Sequence, residues 1–424
     1  MKLLQDYMTL FLETYRKYLC ITPDDIPILK LILGAAAAQH LGPRAELLWL
    51  VLVGPPASSK TTMLNPFLTC KEYVISRDDC TGNAMISASD PEGLRARARA
   101  EGKEDEAYDP SLIRVLDGKL FIVKDLTILL NRKDEADNFW GHLRAAYDGR
   151  LEKHSGTVGF QGQEKIRFGF IGATTDGSIE GSLVRMSKLG ERAVYLRVQQ
   201  ETTSTEQDWT MGLNMLSNRN TQHVREQELA DKVHFIYKRC IKQVKRAGMS
   251  EPRHHNPIIV RKVVDLASAL AKLRTSPRED SQLPHERNAR LVKQFGTLCD
   301  SVAICSGRRK WTDDEVALCR KVVRSSLPSK IRFLFDYVAT CSFFPDKTAR
   351  PTAPTASRVI GSWRRSFAEN QLRQWVSVGL LTADSNGRYS VKPDVLERYV
   401  ELGIILKPKV VGSKPAVVKF RRNK

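Results

Sequence analysis

The chain has 424 residues, a formal net charge of +19 and a sequence pI near 9.6. Its 42% hydrophobic and 27% charged residues are typical of a soluble globular protein, and no apolar run is long enough to span a bilayer. These values exclude a membrane-spanning chain and predict two or three domains in a cytoplasmic protein. The basic excess favours a polyanionic partner, most commonly nucleic acid, although a generally basic soluble enzyme would share it.

Residues 1–24 are predicted to contain an amphipathic helix. Asp6 and Glu13 lie inside this segment, and their charges interrupt the apolar stretch that a secretory signal would require. The eight cysteines of the chain form no CxxC pair and no Cys–His cluster. We therefore expect mostly buried free thiols in a reducing compartment instead of a zinc site.

Residues 25–200 alternate helical stretches with short apolar runs. The runs are rich in Val, Ile, Leu or aromatic residues and end at turn or charged residues, which is typical of buried parallel strands. They are LLWLVLVG, KEYVIS, KLFIVKD, IRFGFIGATT and RAVYLRV. Strands interleaved with helices predict an α/β layered domain. Residues 95–109 (RARARAEGKEDEAYD) form a charged, solvated insertion within it.

Residues 201–327 lack a strand pattern and are predicted to form a helical region. Its amphipathic stretches are QELADKVHFIYKRCIKQVKRAG, IIVRKVVDLASALAKL and ARLVKQFGTLCDSVAICSG. A further helix is predicted to begin after Thr312, because Glu315 follows three residues later and the two residues have the arrangement of a capping box.

Residues 328–405 are predicted to form a winged helix, followed by a basic tail over residues 406–424. SKIRFLFDYVATC and SFAENQLRQWVSVGLL indicate helices, and PDKTARPTAPTAS between them indicates a loop. LTADSNGRYSV predicts two short strands around Asn386 and Gly387, a pair favoured in two-residue hairpins. Winged helices bind duplex DNA or protein, and the arginines here favour DNA. These arginines are Arg358, Arg364, Arg365, Arg373 and Arg388.

The stretch VLVGPPASSKTTML is similar to a phosphate-binding loop. Gly54, Lys60 and Thr61 keep the spacing of G-x-x-x-x-G-K-[ST], whereas Ser59 replaces the second glycine. The loop follows an apolar run and opens a helical stretch, as a phosphate loop must, although a proline-rich turn before a helix would look alike. Lys60 would contact the β- and γ-phosphates of ATP, and the Thr61 hydroxyl would hold Mg²⁺. The predicted nucleotide-binding residues are Gly54, Pro55, Pro56, Ala57, Ser58, Ser59, Lys60, Thr61 and Thr62.

The run KLFIVKDLT places Asp125 at the end of a predicted strand. A phosphate-loop ATPase usually has two consecutive acids there, but Lys124 precedes Asp125 and Leu126 follows it. Asp125 either binds Mg²⁺ while the catalytic carboxylate lies elsewhere, or orients the attacking water itself. A third interpretation is that it caps the next helix. The sequence leaves open whether Lys124 or Asp125 has the usual position of the Mg²⁺-binding acid.

Two further strand ends carry candidate catalytic residues. Thr174 and Thr175 follow a predicted strand in FGFIGATTDGS, and Thr175 is the candidate for contacting the γ-phosphate or orienting water. Arg192 immediately precedes the last predicted strand. Such an arginine often acts on the nucleotide of the neighbouring subunit as an arginine finger. The alternative is a surface arginine paired with Glu191.

Taken in order, these motifs resemble those of the AAA+ ATPases, and more closely the minichromosome-maintenance-like helicases and the replication helicases of phages and mobile elements. The segments that carry the resemblance run from about Ile26 onward. They are GPPASSKTT, FIVKDLT, LRAAYDGRLEKHSG, IGATT, LGERAVYLRV, HERNARLVKQFGTLCDSVAICSGRRKWTDDEV and the C-terminal winged helix.

The resemblance implies an AAA+ α/β core, a helical lid and a C-terminal winged helix. It also implies a role for each matching residue: Lys60, Thr61 and Asp125 in the nucleotide site, Thr175 as the first sensor, Arg192 as the arginine finger and Arg290 as the second sensor. Arg287 is the alternative candidate for the second sensor. The chain departs from the family pattern at Ser59, at Lys124 and at Thr175, where the family usually has asparagine.

A glycine-punctuated segment, YDGRLEKHSGTVGFQGQEKIRF, predicts a β-hairpin before the first sensor. In the similar helicases such a hairpin projects into the channel of the ring and grips the DNA backbone. Lys153 and His154 are the candidates for its tip, with Arg150 nearby. The alternative for this segment is an ordinary surface turn. The separate segment RARARA is either a second DNA-facing element or a solvated helix face.

We therefore expect an ATP-dependent DNA helicase or translocase that works as a homo-oligomeric ring, taken as a hexamer, because Arg192 would need the nucleotide of a neighbour. Two other interpretations stay open. One is a non-unwinding AAA+ loader or regulator on DNA. The other is a DNA-binding scaffold that binds nucleotide with weak hydrolysis, which Ser59 and the single acid favour.

Overall fold

The structure, a computed structural model, divides into two compact units. One unit comprises residues 1–263 and 289–322, and the other comprises residues 264–288 and 323–424. The predicted helical region, residues 201–327, is thus shared between the two units. The structure describes residues 4–56, 58–78, 85–86, 96, 99–100, 111–155, 159–164, 166–178, 192–198, 209, 212–213, 216–217, 219–248, 255–275, 288–344, 350–360 and 365–408.

Most of the predicted insertion at residues 95–109 lies outside the described residues, as do Ala57, Glu191, Arg287, Arg364 and most of the basic tail.

All five predicted core strands form, and they make one parallel sheet in the first unit. The strands of this unit are Trp49–Val53 (β1), Val74–Arg77 (β2), Leu120–Val123 (β3), Arg150–Ser155 (β4), Gly159–Glu164 (β5), Gly169–Thr174 (β6) and Ala193–Arg197 (β7). The sheet order is β2-β3-β6-β1-β7, and β4 pairs only with β5. Every residue of β1, β3 and β6 is buried, because these strands are central, whereas the edge strands β2 and β7 are partly exposed.

Helices cover both faces of this sheet. Those that lie wholly or partly in the first unit are Tyr7–Tyr18 (α1), Asp25–Ala38 (α2), Lys60–Leu64 (α3), Ile113–Leu116 (α4), Thr127–Asn131 (α5), Lys133–Tyr147 (α6), Gln222–Gly248 (α7), Pro257–Arg274 (α8), Ala289–Cys305 (α9) and Asp313–Ser325 (α10). On one face, alternate residues of β1 (Trp49, Val51 and Val53) join a core formed with α4, α5 and α6. On the other face, α2 packs on β6 and β1 and is buried along its length between the sheet, α7 and α9.

The N-terminal helix predicted within residues 1–24 is α1. Asp6 caps it by accepting a hydrogen bond from the Thr9 amide at 2.9 Å. The buried Tyr15 hydroxyl donates to the Met63 carbonyl at 2.8 Å. Helix α1 is therefore attached to α3, the helix that follows the predicted phosphate-binding loop.

The capping box predicted at Thr312 is confirmed at the start of α10. The Glu315 side chain accepts from the Thr312 amide at 2.7 Å, and the Thr312 hydroxyl accepts from the Asp314 amide at 3.3 Å. Glu315 is 1% exposed, and Arg308 donates two hydrogen bonds to its carboxylate. The buried carboxylate is thereby paired as well as hydrogen-bonded.

The second unit contains the two helices and the hairpin that we predict beyond residue 328. Its elements after α10 are Ser329–Ser342 (α11), Ala353–Ile360 (α12), Arg365–Ser377 (α13), Leu381–Ala383 (β8), Tyr389–Val391 (β9) and Pro393–Glu401 (α14). The predicted loop PDKTARPTAPTAS is wrong over its last residues, because α12 begins at Ala353. Pro354 is compatible with this helix since a first-turn residue needs no amide hydrogen bond, and the Thr352 hydroxyl accepts from the Thr355 amide at 3.4 Å.

The predicted hairpin forms between β8 and β9, but the turn is longer than two residues. Ala383 pairs with Tyr389, so five residues connect the strands. The Asp384 carboxylate accepts from the amides of Asn386 and Arg388, both at 2.9 Å, and these bonds stabilise the wider turn. Gly387 has φ 68°, which glycine adopts readily.

Among the described residues, no helix is both long and apolar enough to cross a membrane.

Candidate functional site

The predicted phosphate-binding loop, residues 54–62, connects the buried strand β1 to α3. Its first residue is bonded to the end of β6: the Gly54 amide donates to the Thr174 carbonyl at 3.1 Å. A Cβ atom at Gly54 would lie 2.6 Å from the Val198 carbonyl oxygen, so only glycine fits. The loop ends where Lys60 begins α3, and Thr61 and Thr62 are exposed in the first turn of that helix.

Ser59, which stands where the loop pattern has glycine, adopts a left-handed conformation with φ 60° and ψ 7°. It is the one non-glycine residue with a positive φ in the part of the chain that the structure describes. This conformation costs a residue with a Cβ atom about 1–2 kcal/mol. The backbone therefore keeps the geometry of a glycine position although the side chain is serine.

We expect Ser59→Gly to keep the fold and to stabilise the protein by up to about 1 kcal/mol, because relief of the left-handed strain exceeds the extra entropy of the unfolded glycine. Ser59→Val, a β-branched residue at the same φ, should destabilise it. The midpoints of chemical unfolding of the two variants measure the difference. Equal destabilisation by both would show that Ser59 is not strained.

The Lys60 ammonium is held within the loop itself. It donates to the carbonyls of Gly54 and Pro55 at 2.9 and 2.7 Å and to the Ser58 hydroxyl at 2.8 Å. Lys60 is 9% exposed. Burial lowers the pKa of its ammonium, and the carboxylates of Asp176 and Asp125 partly offset this shift. The positive charge of Lys60 thus lies within the loop and interacts electrostatically with the carboxylates of Asp176 and Asp125.

The carboxyl ends of the parallel strands bring other polar residues to the same edge as the loop. Asp125 is exposed after β3, and its Oδ1 accepts from the Thr127 amide at 2.8 Å, which caps α5. The helix-capping interpretation of Asp125 therefore describes this structure. Lys124, at the place of the usual first acid, pairs with Asp78 after β2 at 2.8 Å.

The threonines at the end of β6 have different surroundings. Thr174 pairs in register with Val53, and its buried hydroxyl has no hydrogen-bond partner among the described residues. The hydroxyl of the partly exposed Thr175 lies 3.0 Å from that of Ser178. Because β6 lies between β1 and β3, Thr174 ends and Thr175 follows a strand that separates the loop from Asp125.

Asp176 and Arg197 form an ion pair next to the loop. Asp176 follows β6 and Arg197 ends β7, the two strands that flank β1. The sequence pattern singles out neither residue. Their positions at the ends of predicted strands were the one sequence feature that pointed to Asp176 and Arg197, because polar residues at the carboxyl ends of parallel strands meet at one edge of a sheet.

Arg192 lies at the opposite edge of the sheet. It precedes β7, whose far end brings Val198 beside Gly54, and the six residue steps from Arg192 to Val198 give a separation of roughly 20 Å at ~3.3 Å per residue. Its guanidinium binds both oxygens of Asp148, at 3.3 and 2.6 Å. The structure thus gives Arg192 the partner Asp148.

Arg290 lies near Arg192 on the same edge. The guanidinium carbons of Arg290 and Arg192 are 5.8 and 6.0 Å from the centre of the Tyr147 ring. Gln294 of α9 bonds both the Tyr147 hydroxyl and the Arg192 carbonyl, at 2.9 and 2.8 Å. The two arginines predicted to act on nucleotide are therefore together, and both are distant from the loop of their own chain.

The predicted β-hairpin forms from β4 and β5 at this second edge, because α6 ends at Tyr147 immediately before it. Lys153 pairs with Gln161 and His154 with Phe160, while Ser155 and Gly159 form the last pair before the turn. Lys153 and His154 are thus in β4 near its turn end, and Arg150 is at the base of the strand.

These features define an α/β protein with a five-stranded parallel sheet, compatible with a Rossmann-like core, and with a closely packed glycine and a lysine in the loop after β1. No protein-family model matches this chain, and curated proteins give no significant match. Its function must therefore be inferred from the site.

The residues at this edge fit Mg²⁺–ATP. Ser59 has a glycine-like φ, and the ammonium of the buried Lys60 lies within the loop, which together match a loop that binds phosphate through its backbone. The exposed Thr61 and the exposed Asp125 carboxylate supply the oxygen donors that Mg²⁺ prefers.

Proposed function

We propose that this protein is an ATP-dependent DNA helicase or translocase that acts as a ring of identical subunits. The observation that supports this proposal most strongly is the loop: a buried strand, a glycine that packs too closely on the Val198 carbonyl to carry a Cβ atom, and Lys60 at the start of the following helix. This is the arrangement in which a phosphate loop binds nucleotide. The order of motifs, which resembles that of AAA+ helicases, gives the reaction class.

Lys60 supplies the charge that binds the β- and γ-phosphates once it leaves the carbonyls of Gly54 and Pro55. Thr61 and Asp125 would hold Mg²⁺, which neutralises charge on the phosphate oxygens when bound. Thr175, which follows the strand between β1 and β3, would contact the γ-phosphate or its attacking water. The loop residues therefore bind and orient the substrate.

Arg192 and Arg290 complete the site only from a neighbouring subunit, because both lie at the edge of the sheet remote from their own loop. An arginine that stabilises the transition state must contact the transferred phosphoryl group. A closed ring gives every loop such a neighbour, and this requirement supports the homo-oligomer, which we propose to be a hexamer.

The β4–β5 hairpin is the proposed DNA-binding element, with Arg150, Lys153 and His154 as the contacting residues. It begins two residues after Asp148, the partner of Arg192. A change in the Arg192 contact would thus reach the base of the hairpin directly. This link supports coupling of ATP hydrolysis to movement along a strand.

We expect Lys153→Ala to weaken binding to single-stranded DNA while ATP hydrolysis without DNA stays unchanged, because Lys153 is remote from the loop. If Lys153 contacts one phosphate, the slope of log affinity against log salt should fall by about 0.7. Fluorescence anisotropy at several salt concentrations measures this slope. Lys71→Ala, which removes an exposed lysine elsewhere, is the control. Parental affinity of Lys153→Ala would contradict the DNA-binding role.

In the proposed winged helix, the order α11, α12, α13, β8 and β9 supports the assignment, as does the bridge between Thr352 and Arg388. On α13, Arg373 is 70% exposed at its side chain, although it pairs with Glu369. We propose that this domain binds DNA.

A second candidate function is a nucleotide-binding scaffold, or an AAA+ loader that does not unwind DNA. The observation that favours it is the end of β3, where ATPases usually have two acids. Lys124 there pairs with Asp78, and Asp125 accepts from the first amide of α5. Hydrolysis would then be weak although nucleotide binds.

The deciding experiment measures ATP hydrolysis with and without single-stranded DNA, and then the separation of forked DNA. Turnover stimulated by DNA with strand separation supports the helicase. Stimulated turnover without separation supports the loader, and binding without turnover supports the scaffold.

A further inference from the structure

The Asp176–Arg197 ion pair lies at the carboxyl end of β1. Arg197 and Thr174 are both in register with Val53, the residue before the loop, and Asp176 follows two residues after Thr174. The Arg197 side chain is 10% exposed and that of Asp176 is 43% exposed. The Arg197 side chain is thus mostly buried, while the Asp176 side chain remains partly exposed at the carboxyl ends of the strands.

Asp176 also differs from the other acids of this edge in its relation to Lys60. Of the two carboxylates that act on the Lys60 ammonium, Asp176 has the larger electrostatic effect and Asp125 the smaller. Asp125 caps α5, and Asp78 is bound to Lys124. A chain that lacks the second strand-end acid therefore has a partly exposed carboxylate at the same edge of the sheet as its loop lysine.

On the basis of the proposed function, we propose that Asp176 is the catalytic carboxylate that orients and deprotonates the attacking water, in place of the acid missing beside Asp125. The water oxygen forms a bond to the γ-phosphorus, and the bond from the γ-phosphorus to the bridging oxygen breaks, so that ADP leaves with that oxygen. The water proton passes to the Asp176 carboxylate and then to the phosphate product. Arg197 is a positioning residue that holds the carboxylate.

Asp176→Asn tests this proposal, because the amide keeps the shape and an oxygen acceptor for Arg197 but cannot take a proton. Three quantities are measured for each variant: kcat for ATP hydrolysis, the affinity for a fluorescent ATP analogue and the melting temperature. We expect kcat to fall about 100-fold, with affinity at the value of the parent protein and a melting temperature lowered only by the loss of one charged partner of Arg197. Asp176→Glu, which keeps the carboxylate, should recover part of the turnover.

Asp78→Asn is the matched control, since it removes another carboxylate from the same edge and should leave kcat unchanged. Parental kcat in Asp176→Asn, with an active parent protein, overturns this inference and leaves the proposed function standing. A joint fall of kcat, affinity and melting temperature assigns Asp176 a structural role and also overturns it. A parent protein that binds ATP without hydrolysing it overturns both this inference and the motor.

Discussion

Lys60→Ala is expected to lower the rate of ATP hydrolysis by at least about 100-fold, because it removes the preorganised charge on the phosphates. Lys60 lies in the loop with its ammonium bonded to Gly54, Pro55 and Ser58, so the loop also loses the cation that holds its carbonyls. We therefore expect weaker nucleotide binding in addition to slower turnover. Steady-state hydrolysis and equilibrium binding of a fluorescent ATP analogue measure the two effects.

Lys71→Ala is the control for Lys60→Ala, since it removes one positive charge from an exposed position after β1 and α3. Its turnover should equal that of the parent protein. Lys60→Arg adds a second comparison: the larger guanidinium does not fit a site where the lysine residue is 9% exposed, so turnover should stay low. Undiminished hydrolysis in Lys60→Ala would exclude the loop as the nucleotide site.

Arg192→Ala is expected to lower kcat by about 1,000-fold or more, the size of an arginine-finger effect. The physical reason is the charge that the guanidinium supplies to the transferred phosphoryl group. Nucleotide binding to the loop should change little, because Arg192 is at the opposite edge of its own sheet. Hydrolysis at saturating ATP measures the loss. Asp148→Asn weakens the ion pair but keeps Arg192. It therefore distinguishes the effect of losing the arginine from the effect of losing its ion pair.

Mixing two inactive variants shows whether Arg192 acts between subunits. An Arg192→Ala subunit has an intact loop, and a Lys60→Ala subunit has an intact Arg192. A mixed ring contains interfaces at which both are present, so the mixture should recover turnover that neither variant has alone. Absence of recovery in rings that demonstrably exchange subunits would contradict action in trans, and the Asp148 pair would then be the structural role of Arg192.

The local pattern of the sequence determined the strands and most of the helices. Runs such as LLWLVLVG and IRFGFIGATT are continuous because their residues are buried on both faces of a parallel sheet, and this burial is encoded residue by residue. The spacing of Thr312 and Glu315 fixed the start of α10 for a similar local reason. The loop from Gly54 to Lys60 is equally local, which is why its motif is readable without a structure.

The order of the strands and the pairing of distant side chains were decided only by the tertiary structure. Asp176 and Arg197 are 21 positions apart, and Arg192 and Asp148 are 44 apart, so no periodicity joins them. Asp176 and Arg197 meet because β6 and β7 both pair with β1, and Asp148 meets Arg192 because α6 packs with its end beside the start of β1. The same packing places Arg192 away from its own loop. Sequence alone therefore gives the parts of the candidate site, and the sheet order decides which of them can act together.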